Sequence, residues 1–186
     1  MARLEAAQQD LARHAASAGE LAARNEAHGT VREGVVAGVI GGTAVALYFL
    51  VVDAIAGRLL YTPSVLGGAI TSILWPAENP SQIQNVVLFT IIHYLAFAAI
   101  GVAATAMIHG SARHPPMLAG LMILFVAFEV AFYGFTYVIS LWTPMQEISL
   151  YHAGVANLIA AFLMGQYLWR RHPEITGKLD DVLQGK

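Results

Sequence analysis

Cysteine is absent from the chain, which excludes disulfides, thiolate-bound zinc and iron–sulfur clusters. Charge is scarce as well: Asp, Glu, Lys and Arg make up 12% of the residues, against roughly 25% in an average soluble domain. A formal net charge of −2 provides no basic excess, so nucleic acid is not expected as a partner. No Gly-rich phosphate loop, nucleophile elbow or His-Glu-x-x-His run occurs, and without such a set the chain reads as noncatalytic. Also missing is a short basic stretch placed directly before a terminal apolar core, the mark of a cleavable signal peptide. Residues 1–33 are instead alanine-rich and mixed in charge, with five acidic residues against Arg3, Arg13, Arg24 and Arg32. They are expected to be retained as a weakly amphipathic helix, lying on a membrane or a partner or solvated.

Apolar length is what the chain does have. It is 57% hydrophobic with a mean hydropathy of +0.60 over 186 residues. Four segments, 34–57, 86–108, 117–141 and 150–169, suit a hydrocarbon core about 30 Å thick. The fourth contains His152, Asn157 and Gln166, and Trp169, Arg170 and Arg171 close it as an interfacial anchor. The fold class that follows is an all-α integral membrane protein: a four-transmembrane-helix bundle with a cytoplasmic N-terminal helix and a cytoplasmic tail, 170–186. Four spans place the N-terminus, the loop between the second and third spans, and the C-terminus on one side. Nine of the ten Lys and Arg residues lie there, with Arg58 alone opposite. Both termini are therefore expected in the cytoplasm, with the chain in a bacterial inner membrane.

Between the first and second spans, Thr62-Pro63 predicts a helix start and Trp75-Pro76 a stop, giving a short outer interfacial helix over 63–74. The turn at Trp142, Thr143 and Pro144 makes the third and fourth spans antiparallel neighbours. Gly34, Gly38 and Gly42 recur every four residues, a small-residue face that lets another helix approach closely. The aromatics crowding the third span, among them Phe125, Phe128, Phe132 and Tyr133, read as packing or lipid-facing bulk.

Glu129 is the sole charged side chain in the run 117–141, and an ionisable group at the middle of a span needs a partner, a proton or a cavity. Counting about 1.5 Å per residue from the outer surface puts His93 roughly 12 Å deep, Glu129 roughly 18 Å and Asn157 roughly 10 to 13 Å. His93, Glu129, Asn157 and Tyr133 are thus expected to form a buried polar cluster, with Asp53 and His152 as a pair at the outer mouth. One reading makes these groups interhelical clasps. Another makes Asp53, His152, His93 and Glu129 an ion path, which stalls where the inner half offers nothing ionisable. A third uses His93 or His152, with Glu129 as a further metal candidate, to hold a haem or (bacterio)chlorophyll. A carboxylate-bridged dimetal site lacks its Glu-x-x-His spacing. His109, His114 and His172 flank helix ends beside Arg113 and Arg171, where the cytoplasmic interface accounts for them. The expected function is that of a subunit or accessory scaffold of a larger inner-membrane complex. Lipids, other membrane subunits or further copies of the chain are its partners, and a small transporter or ion-conducting oligomer is the alternative.

Overall fold

The computed structural model describes residues 2–75, 80–111, 117–140 and 150–173. The expected loop after Pro76, Arg113 and His114, the turn at Trp142 and the tail beyond residue 173 lie outside them. Every element among the described residues is a helix: α1 (Ala2–Ile55), α2 (Tyr61–Leu74), α3 (Gln82–Ser111), α4 (Met117–Ser140) and α5 (Leu150–Arg171).

The expected N-terminal helix and first span are one continuous element of 54 residues. No proline or helix-stop signal falls between Ala2 and Ile55, so nothing interrupts the ladder where composition changes from polar to apolar. At about 1.5 Å per residue α1 is roughly 80 Å long, far more than a bilayer needs. It ends in a glycine cap. Gly57 adopts φ +69°, its N–H donates to Ala54 O at 3.0 Å and that of Arg58 to Asp53 O at 2.8 Å, the paired bonds of a Schellman motif.

Among the described residues, two helices are long and apolar enough to cross a membrane: α1 through Arg13–Ile55, and α3 along its whole length. A shorter apolar stretch, Met122–Gly134, occupies α4. The core lies where α1, α3 and α5 meet, and alanine supplies nearly half of it: Ala37, Ala104, Ala156 and Ala160 are buried together with Val45, Phe97, Ile108, Met164 and Leu168. Small residues let helix backbones approach. A side chain at Gly34 would strike the backbone of Val102, and one at Gly38 the backbone of Phe97 and Ala98; Gly101 answers from α3, facing Gly34 O and Gly38 N. Gly42, one turn further, meets only the side chains of Phe97 and Tyr94, 3.3–3.4 Å from where its Cβ would stand.

Large apolar side chains face outward instead. Leu95 is 65% exposed, Met122 71%, Val130 66% and Phe162 64%. None of the described side chains of α4 is buried, although Leu124 and Phe128 lean against the core. A small-residue interior with an aliphatic exterior inverts the arrangement of a water-soluble bundle.

Helix α2 covers the N-terminal end of α3; this end of the bundle is labelled outer and the opposite end inner, after the expected topology. Gly67 lies directly on the backbone of Asn85, and the Thr71 hydroxyl is shared between Gly67 O at 2.8 Å and Asn85 Oδ1 at 3.0 Å. It begins two residues before the expected start, at Tyr61, after Leu60 in the left-handed region at φ 63°. Its cap also differs from the expected one. Asp53 Oδ2 accepts the Thr62 N–H and Asp53 Oδ1 the Thr62 hydroxyl, both at 2.8 Å, so the carboxylate at the end of α1 satisfies the first turn of α2.

Candidate functional site

Polar groups gather at both ends of the bundle and at its middle. At the outer end Asp53 is occupied in capping α2, while His152 of α5 pairs through Nδ1 with the Tyr48 hydroxyl at 2.8 Å. Asp53 and His152 are thus each bound to another partner rather than to one another.

In the middle, His93 Nε2 is 2.9 Å from Gly42 O. A carbonyl can only accept, so this nitrogen carries a proton and ties α3 to α1. The imidazole lies among rings, with Phe97 at a centroid distance of 4.8 Å and Phe89 at 5.5 Å. Glu129 is set against Asn157 and Tyr133. The Tyr133 hydroxyl occupies the space a side chain would fill at Gly154, 2.8 Å from the position of its Cβ, so glycine there lets α4 seat on α5. Glu129 Oε1 and Asn157 Nδ2 are nonetheless buried without completing a hydrogen bond of good geometry. The structure therefore joins Glu129, Asn157 and Tyr133, and gives His93 to α1.

Two cavities flank Asn157. One of about 340 Å³ opens between α1, α2, α3 and α4, with Asp53, His93 and Phe132 on its wall. The other, about 270 Å³, runs inward between α3, α4 and α5 past Ala104, Met164 and Trp169. Phe97, Phe128 and Asn157 belong to both walls, and the two rings meet edge to face at 5.7 Å. Asn157, only 6% exposed, is thus a buried amide between two largely apolar spaces.

At the inner end the structure assembles a group that the sequence reading assigned to the interface. Glu33 of α1, His109 near the end of α3 and His172 just past α5 each offer a ligand atom, and these atoms lie within 4.8 Å of one another. Glu33 Oε1 is 2.9 Å from His172 Nε2, and Glu33 Oε2 is 3.6 Å from His109 Nε2. The two imidazoles stand at 72° with centroids 4.9 Å apart. Side-chain exposures of 17%, 29% and 14% for Glu33, His109 and His172 make the group half-sheltered, with an opening to solvent. Residues 79 and 139 positions apart share this cluster and its surroundings, so no local motif announces it. The available signal was depth: Glu33 immediately precedes the first apolar run, His109 immediately follows the second, and His172 follows the fourth after Arg170 and Arg171.

The inner group can bind a cation or clasp three helices. The cavities beside the middle group can hold an apolar molecule against the Asn157 amide. No protein-family model matches the chain, and neither a curated protein nor a solved structure matches it.

Proposed function

We propose that the chain is a four-span, noncatalytic protein of a bacterial inner membrane, with both termini cytoplasmic, and that it serves as a subunit or accessory scaffold of a larger assembly. The observation that carries this reading is the state of α4. It carries Glu129, which is set against Asn157 of α5, yet buries no described side chain and rests on the bundle mainly through α3. A helix so placed leaves a broad apolar face, including Met122, Ile123, Val126 and Val130, for lipid or a neighbouring subunit. The long exposed portion of α1, residues 13–29, offers a second contact surface outside the membrane.

Span count rests on length. Helices α4 and α5, with 24 and 22 residues, reach about 36 and 33 Å, enough for a core of about 30 Å. The junction of Glu33 with the ends of α3 and α5 supports a common inner face for all three. Purification from native membranes in mild detergent, followed by mass spectrometry, tests the proposal. Specific partners at fixed stoichiometry are expected, and a lone homo-oligomer counts against it.

The two cavities that share the wall of Phe97, Phe128 and Asn157 favour a second reading, an apolar ligand such as a haem, pigment or lipid tail seated beside Asn157. Such a chromophore would give the purified protein a Soret or pigment band, and a colourless preparation removes the chromophore version. Transport along Asp53, His93 and Glu129 finds less in the geometry. Two of these groups are engaged in capping and in a carbonyl bond, and the cavity that runs inward past Ala104, Ile108 and Met164 has no ionisable side chain among the described residues of its wall.

A further inference from the structure

Proton positions at the inner cluster follow from Thr30. Its hydroxyl has one hydrogen and two polar neighbours, Glu26 O at 3.0 Å and His109 Nδ1 at 2.7 Å. The carbonyl can only accept, so the hydroxyl donates to Glu26 O and must accept from His109 Nδ1–H. Neutral His109 then carries its lone pair on Nε2, the nitrogen that faces Glu33 Oε2 at 3.6 Å. Two acceptors face each other across a gap too wide for a hydrogen bond, with a second imidazole closing the same space. A cation between them resolves that arrangement. An N–H to hydroxyl contact behind the coordinating imidazole is also the support that metal-binding histidines receive, because it fixes the tautomer and the ring plane.

Spacing fits as well. Ligand atoms about 2.0–2.1 Å from one ion at tetrahedral angles stand about 3.3 Å apart. The contacts of Glu33, 2.9 Å from Oε1 to His172 and 3.6 Å from Oε2 to His109, lie on either side of that separation, and one ligand atom from each of the three residues lies within 4.8 Å of the others. Two imidazoles and a carboxylate suit zinc and its first-row neighbours rather than calcium or magnesium, which favour all-oxygen sets. We propose that Glu33, His109 and His172 form a site for one divalent transition-metal ion of the zinc class, bound through Nε2 of each histidine at the inner end of the bundle; His172, whose Nε2–H donates to Glu33 Oε1 at 2.9 Å in the metal-free protein, takes the Nδ1–H tautomer when the ion replaces that hydrogen. Because the ligands come from α1, α3 and α5, the ion fastens three helices at once. Three protein ligands also leave a coordination position for water or an added group.

The test uses the full chain in mild detergent, carrying no polyhistidine tag, stripped with chelator and then given zinc. One zinc per chain is expected to survive gel filtration, with the thermal midpoint raised by at least about 5 °C. Magnesium at the same concentration is expected to leave the midpoint unchanged. His172→Gln keeps a donor toward Glu33 while removing the imidazole, and is expected to lose zinc binding by a factor of at least about 100; Thr30→Val, acting through His109, by about 10. His109→Gln provides an independent ligand variant should His172→Gln fail to fold. Failure of the wild-type chain to retain zinc overturns the site, as does unchanged zinc uptake in a folded ligand variant or an equal response to magnesium.

Discussion

Asp53 and Glu129 are both carboxyls within apolar helices, and their surroundings give them opposite roles. Asp53 is 4% exposed and both its oxygens are engaged by Thr62, so it is a cap supplied from a neighbouring helix. Asp53→Ala is expected to cost about 1–2 kcal/mol, with Asp53→Asn milder; thermal unfolding in detergent measures the total, and faster amide exchange confined to α2 locates it. Glu129 has an oxygen with no completed bond, and Asn157 a nitrogen. An unsatisfied buried group costs about 1–3 kcal/mol. Asn157→Leu is therefore expected to leave the isolated protein as stable as before or more stable, and to weaken its retention of whatever seats beside that amide in the membrane. A loss of more than about 1 kcal/mol in the isolated protein would show that the amide is satisfied within the bundle. The histidines were the hardest residues to read. His93 was expected beside Glu129, but its Nε2–H donates to the Gly42 carbonyl of α1, and carbonyl positions cannot be read from residue types. His109 and His172 were legible in principle, by applying to the inner ends of the spans the depth count used at the outer ends.

Among the elements, the glycine seam between α1 and α3 separates close backbone contact from mere proximity. Gly38→Ala drives a methyl into the Phe97 carbonyl and the Ala98 backbone, neither of which can rotate away, and is expected to destabilise by more than about 2 kcal/mol. Gly42→Ala meets side-chain atoms at 3.3–3.4 Å and is expected to stay within about 1 kcal/mol. Gly134→Ala on α4 meets nothing within 4 Å and is expected to be neutral or slightly stabilising, given alanine's better helix propensity of about 1 kcal/mol. Thermal midpoints of the three variants, compared in one detergent, check this ranking. The every-fourth-residue repeat predicted a close face but could not rank its members, since rank depends on whether backbone or side chain lies opposite. Helix positions were legible because long apolar runs and Pro-bounded segments carry them. The start of α2 was not, because its cap comes from eight residues before its first turn rather than from within it.

At the scale of the whole molecule, the exposed portion of α1 is the feature most open to test. In sealed vesicles trypsin is expected to cut at Arg13 or Arg24 only from the cytoplasmic face, and cleavage from the opposite face would invert the topology. Within a native assembly the same sites are expected to be protected, and loss of that protection on dissociating the partners would identify this helix as a contact surface. Sequence reading treated these residues and the first span as two units, because their compositions differ. Composition reports the solvent each part meets; continuity is set by the absence of a break, and α1 has none. An unbroken helix has a single azimuth along its length. With Gly34 and Gly38 seated against the α3 backbone, α1 cannot turn about its axis without unseating the bundle, so the glycine seam also fixes which side of residues 13–29 points toward a neighbour. On the proposed topology, the face that lies some 30 Å beyond the membrane boundary is aimed by two residues buried inside the bundle.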